Sequence, residues 1–258
     1  MISIVLGDRQ VRGIPRVAYT DANESAYISP VGSGEIVPVK SQSHKFWKPD
    51  FLADGRMTMF IAGVPKAGKS FLAKEMINTL PKDYDILLFT GLSENDGNFK
   101  EFSKRLYKIR MEPDNLSRMT LEAIRSASKH PILLFDDIDY IRDKEVRDLT
   151  YAILEDALAN GRGHEKHDGV GDIHVIVTSH ALNNYKQTKY SLENSEYVAL
   201  FPASTTYCQL RRMFEKVGLG KDMCEMMTRL ARKGDFRYMI VHKTAPVFVL
   251  FGDSIMLC

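Results

Sequence analysis

Apolar residues in this chain follow two alternating patterns from residue 51 onward. Unbroken apolar runs at residues 59–62, 86–89, 132–135, 173–177 and 198–201 have the length and composition of strands buried on both faces. Between the runs, apolar residues recur at three- and four-residue spacing. Residues 71–80 place Leu72, Met76, Ile77 and Leu80 on one helical face. Lys144–Asn160 does the same with Val146, Leu149, Ile153, Leu154, Ala157 and Leu158, and stops at Asn160-Gly161. Helices are also expected over residues 98–108, 205–217 and 221–233. The alternation predicts an α/β fold with a central, mostly parallel sheet flanked by helices. Residues 237–242 and 247–251 read as a closing hairpin-like pair that turns again at Gly252-Asp253.

The first 45 or so residues break this pattern. Short β-prone pieces at 3–6, 16–19 and 35–39 are separated by Gly, Pro, Ser and Asn, so residues 1–50 are read as a small β-rich N-terminal appendage. Residues 51–258 then form the main domain. No internal repeat or low-complexity tract is visible.

Composition narrows the classes. With 258 residues, 44% of them apolar, the chain can bury a core of its own. Three cysteines, Cys208, Cys224 and Cys258, form no C-x-x-C pair, which argues against a disulfide framework or zinc site and for a reducing, intracellular setting. No apolar run approaches the ~18 residues of a membrane span, and the first ten residues lack a basic start followed by an apolar stretch. A soluble, unexported protein without stable membrane insertion is expected. The formal charge of +2 does not announce nucleic-acid binding over the whole surface, but it permits a local basic stripe.

The chemistry begins at residues 63–70. The segment GVPKAGKS (Gly63, Val64, Pro65, Lys66, Ala67, Gly68, Lys69, Ser70) matches the phosphate-binding loop G-x-x-x-x-G-K-[ST], with a predicted strand before it and a helix opening at Phe71. Glycines let the backbone curl its N–H groups inward, and the helix N-terminus adds a positive dipole end. Lys69 is expected to reach the β- and γ-phosphates of a nucleoside triphosphate such as ATP. Ser70 is expected to hold Mg2+, which the triphosphate brings with it.

The run at 132–135 ends in Asp136 and Asp137, a Walker B pattern. Asp136 is placed to hold the magnesium hydration shell and Asp137 to orient or deprotonate the attacking water. Asp139, close by, reads as helix-start or surface chemistry. The run at 173–177 ends in Thr178-Ser179-His180, and His180 would lie beside the γ-phosphate if its strand neighbours the loop strand; otherwise it is a polar residue leaving a strand. For transition-state charge, Arg162 in Gly161-Arg162-Gly163-His164 is the first candidate for an arginine supplied to a neighbouring subunit. Arg211 and Arg212 are second, and a solvated surface arginine is the plain alternative for all three. His164 and His167 lack further ligands for a metal, and His174 reads as a residue facing a helix.

Together these segments resemble the genome-packaging ATPases of large eukaryotic DNA viruses, virophages and related elements, within the FtsK and HerA superfamily. The likeness runs over most of residues 51–258: GVPKAGKS, LLFTGLSENDGNF, ILLFDDID, the GRGH segment, VIVTSHALNN, ALFPAS followed by QLRRMFEKVGL, and KTAPVFVLF. The resemblance implies a RecA-like P-loop NTPase fold of the ASCE type, with a strand between the loop strand and the acidic strand. It also implies a homo-oligomeric ring, pentameric or hexameric, that hydrolyses ATP to drive double-stranded DNA into a preformed viral capsid at its portal vertex, in the host cytoplasm or viral factory. Asp136, Asp137, His180 and Arg162 fall on the family's acidic pair, polar sensor and arginine. Two features depart from it: Gly163 is inserted where the family commonly reads Gly-Arg-His, and residues 1–45 match nothing in it.

DNA contact has two candidates. Residues 183–190 mix cations with aromatics, as a pore loop gripping a phosphate backbone would. Lys100, Lys104, Arg105, Lys108 and Arg110 form either a second contact or a solvated helix face. Two other readings stay open: a cellular FtsK/HerA-type DNA pump, and a small-molecule kinase, although no arginine-rich lid follows the acidic strand.

Overall fold

The computed structural model describes residues 3–7, 16–29, 39–43, 45–51, 55–91, 97–163, 171–180, 185–216, 218–233, 237–252 and 254–257. The chain forms two compact units, Met1–Asp54 with Glu196–Cys258, and Gly55–Ser195.

The first unit begins with β1 (Ser3–Gly7), β2 (Arg16–Tyr19), β3 (Ser25–Ser29), β4 (Val39–Lys40) and β5 (Lys48–Pro49). Four of these form an antiparallel sheet in the order β1-β3-β2-β5. Arg16 Nε pairs with Asp50 Oδ2 at 2.5 Å across it. The Glu24 carboxylate accepts from the Ser41 and Ser43 hydroxyls and from the Ser43 backbone N–H, which holds the chain just after β4.

The second unit supplies β6 (Thr58–Ala62), α1 (Lys69–Ile77), β7 (Asp85–Thr90), β8 (Leu106–Lys108), α2 (Pro113–Leu116), α3 (Leu121–Ala127), β9 (Pro131–Asp136), α4 (Lys144–Asn160), β10 (His174–Ser179) and α5 (Tyr185–Asn194). Its five strands are parallel, in the order β6-β10-β9-β7-β8. Every residue of β6, β9 and β10 is buried, which explains why these strands read as continuous apolar runs rather than alternating ones. The Phe89 and Phe135 rings stack at 4.6 Å between β7 and β9. Lys144–Asn160 is helical over the span expected. Asp143 caps it, its Oδ1 accepting from Val146 N at 3.0 Å, and Gly161 ends it.

At the other end of α4, the buried guanidinium of Arg56 donates from Nε to Ile173 O at 2.8 Å, from Nη1 to Leu158 O at 3.3 Å and from Nη2 to Ala157 O. One side chain therefore satisfies two terminal helix carbonyls and the entry to β10. A Cβ on Gly161 would lie 2.4 Å from Ala157 O and 2.5 Å from Arg56 Nη2.

Back in the first unit, β11 (Tyr197–Leu200), β12 (Met239–His242), β13 (Phe248–Phe251) and β14 (Ser254–Leu257) form an antiparallel meander, and β4 pairs with β14. The expected hairpin is β12 with β13. Between β11 and β12, α6 (Tyr207–Lys216) and α7 (Lys221–Lys233) pack on each other. Among the described residues no helix is long and apolar enough to cross a membrane. Cys208 and Cys224 are free thiols.

Two expectations are corrected. Residues 98–108 do not form a helix: a single 3-10 turn at Lys100–Phe102 leads into β8. Ile86 N donates to Arg105 O and Ile109 N donates to Leu88 O, so this segment satisfies the backbone edge of β7. The basic residues there do not share one helix face, because Arg105 turns its Nη1 to the Pro81 and Tyr84 carbonyls and Lys74 pairs with Glu101. The segment expected as a pore loop is helical from Tyr185 onward in α5, where Lys189 pairs with Glu193 and Tyr190 OH reaches Glu155 O. Asn183 and Asn184 lie outside the described residues, as do His164, His167 and residues 35–38.

Candidate nucleotide site

Strand register gathers the candidate residues at one edge of the parallel sheet. Ser179 lies opposite Ala62, Val177 opposite Phe135, and Asp136 opposite Thr90. The segments leaving β6, β10 and β9 therefore open on the same carboxyl edge, where ligands of parallel α/β sheets bind. β10 is the neighbour of β6, the condition on which the placement of His180 rested.

The loop itself takes the backbone conformations its glycine pattern calls for. Gly68 has φ 109° and Lys66 φ 67°, and Leu72 N donates to Gly68 O to close the first turn of α1. Gly63 N donates to Ser179 O at 3.1 Å, which ties the loop to β10. Val64, Pro65, Lys66 and Phe71 are exposed, Ala67, Gly68 and Ser70 are half-buried, and Lys69 is buried. Burial pushes the Lys69 ammonium below the ordinary lysine range, and the Asp137, Asp136 and Asp139 carboxylates oppose that shift.

Around Lys69, Asp137 and His180 form one bonded group. Lys69 Nζ lies 3.0 Å from His180 Nδ1 and 3.8 Å from Asp137 Oδ1, and His180 Nε2 lies 2.8 Å from Asp137 Oδ2. Asp137 has φ 49° and ψ 40°, a left-handed conformation that costs an L-residue about 1 kcal/mol. Its N–H donates to Thr178 Oγ1 at 3.0 Å, and the Thr178 hydroxyl donates to Asp136 Oδ1 at 2.8 Å. Thr178 thus holds both acids from the neighbouring strand, a role not assigned from the sequence.

Asp139 is more than surface chemistry. It accepts from Ser179 Oγ at 2.5 Å and from Tyr151 OH at 2.8 Å, joining β10 to α4. Burial and the Asp139 charge both raise the Tyr151 phenol above its usual range, keeping it a donor. Tyr140, also unnoticed in the sequence, sets its ring against His180 at 4.9 Å and 71°.

The arginines fall elsewhere. Arg162 is exposed, just past the C-terminus of α4; Ile173 N donates to Gly161 O and Gly163 N to Asp172 Oδ1. That position adjoins the start of β10, whereas the phosphate loop adjoins its end, roughly 20 Å away along a six-residue strand. Arg162 therefore stands at the sheet edge opposite the nucleotide site of its own chain. In the first unit, Arg211 Nε pairs with Glu215 Oε1 at 2.9 Å, and Arg212 is exposed.

Ser70 and the buried carboxylate of Asp136 are hard oxygen donors of the kind Mg2+ takes, and both lie on the edge where a triphosphate would sit.

A phosphate loop at the carboxyl edge of a parallel sheet, with one strand inserted between the loop strand and the acidic strand, defines a RecA-like P-loop NTPase fold of the ASCE type. No protein-family model matches the chain. A curated protein of the Sputnik virophage, "Uncharacterized protein V3", is 27% identical over 240 residues, covering 90% of this chain and 89% of that one. Among solved structures, the chain is similar to the genome packaging NTPase B204 of Sulfolobus turreted icosahedral virus 2 in complex with AMPPCP. That match has 16% identity and a TM-score of 0.41, over 72% of this chain and 91% of that one. It is also similar to the pCW3 conjugation coupling protein TcpA, monomer form with ATPgS, at 13% identity and a TM-score of 0.48 over 99% of this chain and 84% of that one.

Proposed function

We propose that this chain is an ATP-hydrolysing translocase of double-stranded DNA that packages a viral genome into a preformed capsid, with residues 51–258 as its motor domain. The observation that carries hydrolysis is the contact of Asp137 with His180 beside Lys69, at the end of the phosphate loop. A bare triphosphate-binding scaffold has no need of a carboxylate held there at the cost of a left-handed backbone.

The backbone N–H groups of residues 63–70 and the Lys69 ammonium bind the phosphates. Ser70 and Asp136 would hold Mg2+, which neutralises phosphate charge when bound. Asp137 accepts the proton of the attacking water or orients that water, and His180 Nε2–H fixes the carboxylate's direction. Thr178 keeps Asp136 and Asp137 in register through its hydroxyl. Arg162, remote from its own site, serves the site of the next subunit in a ring, pentameric or hexameric, and stabilises transition-state charge there.

The packaging step is supported by the order of the sequence blocks, and a viral setting by the virophage protein of similar extent. On this reading the protein works in the host cytoplasm or viral factory and docks transiently at a capsid portal vertex.

The test is steady-state phosphate release with and without duplex DNA, together with particle mass in the presence of an ATP analogue. A strictly monomeric protein whose hydrolysis ignores DNA and survives Asp137→Asn sinks the proposal.

A further inference from the structure

On the side of β9 away from the phosphate loop, the sheet edge carries a second concavity. A cavity of 1010 Å3 lies between the turn that follows β8 and the segment that follows the acidic strand. Lys108, Arg110 and Arg142 line it, facing Glu112 and Asp143. Asp143 is committed to α4 as its cap. Arg110 and Arg142 are exposed, and neither guanidinium makes a hydrogen bond or ion pair among the described residues. Among the described residues the lining holds three cations against two carboxylates, a small positive excess, and the two guanidiniums without partners, Arg110 and Arg142, are where an anion would find donors.

Tyr140 belongs to both concavities. It is 51% exposed and lines the cavity, yet its ring packs edge-on against His180, which touches Asp137 and Lys69. It sits on the three-residue 3-10 turn that begins directly after the left-handed Asp137. Whatever displaces Tyr140 from the cavity side changes the packing of the ring that orients the catalytic carboxylate.

We infer that this cavity is a nucleic-acid phosphate site, its cations taking backbone phosphates and Tyr140 passing occupancy to His180, so that DNA bound there sets the hydrolysis rate. Exposed guanidiniums without partners are the groups that take the phosphates of a duplex backbone, and Tyr140 beside them reports occupancy without itself binding. The inference rests on the DNA-motor reading above.

The experiment uses the full chain, a fluorescent duplex oligonucleotide titrated over a salt series, and phosphate release with and without that duplex. Arg110→Glu/Arg142→Glu weakens duplex binding by about tenfold or more and lowers the slope of log affinity against log salt by about two. The ratio of DNA-stimulated to DNA-free rate falls toward one. Arg110→Ala/Arg142→Ala moves both readings in the same direction by less, and stands in if the reversal variant does not fold. Tyr140→Leu keeps duplex affinity but loses stimulation. Arg118→Glu, an exposed arginine outside the cavity, alters neither reading.

A wild-type protein that neither binds duplex nor is stimulated by it overturns the motor reading and this inference together. A stimulated wild type whose double variant binds and responds equally overturns the inference alone. So does an Arg118→Glu loss as large as that of the double reversal.

Discussion

His180 Nε2 stands 2.8 Å from Asp137 Oδ2, while Nδ1 of the same ring lies 3.0 Å from the Lys69 ammonium. Lys69 Nζ also lies 3.4 Å from Nε2; because an ammonium has only donors, the tautomer with Nδ1 as acceptor and Nε2–H as donor is the one that would meet both the shorter lysine contact and the carboxylate. The ring thereby links the lysine proposed to hold phosphate to the carboxylate proposed to handle water.

Asp137→Asn keeps the shape of the side chain but removes its capacity to take a proton. Turnover is expected to fall by about 10²- to 10⁴-fold, read as steady-state phosphate release, while binding of a fluorescent ATP analogue persists. His180→Ala lowers kcat more than it raises KM, because it releases the carboxylate without touching the loop backbone.

The placement of Arg162 makes a complementation test possible. Lys69→Ala and Arg162→Ala are each expected to be inactive alone, the second by about 10³-fold. Mixing the two restores part of the activity, because a subunit with an intact loop can then sit beside one with an intact arginine. Absence of recovery in mixtures whose assembly is verified by mass counts against action between subunits.

Arg56 makes a stability prediction independent of catalysis. Arg56→Leu strands the carbonyls of Ala157, Leu158 and Ile173 and is expected to cost about 3 kcal/mol in urea unfolding. Gly161→Ala forces a methyl against Ala157 O and the Arg56 guanidinium, with an expected cost of about 1–3 kcal/mol. The two losses should not add, since both act through the same contact.

His174 is 1% exposed, and its Nδ1 accepts from Met57 N at 3.0 Å. Burial lowers its pKa to about 4, opposed by the Asp172 charge. The unfolded chain holds this histidine near its ordinary pKa of about 6.5, so between those values the unfolded state binds more protons. Stability from this group is full above about pH 6.5 and declines as pH falls to about 4, by about 3 kcal/mol in all. Comparing pH-dependent urea midpoints of wild type with His174→Gln isolates it; equal slopes in that window would refute the assignment.

Elements with strong local signals were legible from the residues. GVPKAGKS needs its own backbone conformation wherever it occurs, and β9 with its two carboxylates is a buried strand that surfaces at a polar edge. The span of α4 shows itself because periodicity, an Asp cap and a terminal glycine agree. Residues 98–108 misled because β8 exists only to pair with β7, and strand pairing with a distant segment leaves little mark on the segment itself.

Local chemistry, then, already specifies a phosphate-loop motif, an acidic strand and the alternation of strands with helices, since each depends on neighbours within one turn or one strand. The order of the strands does not depend on such neighbours. Only the folded sheet places β10 between β6 and β9, sets Arg162 at the far edge, and brings Thr178 and His180 to Asp137 and Tyr140 to His180. Those contacts join residues some 40 or more apart in the chain, where hydrogen bonds and burial in the assembled sheet, rather than local propensity, decide which side chains meet.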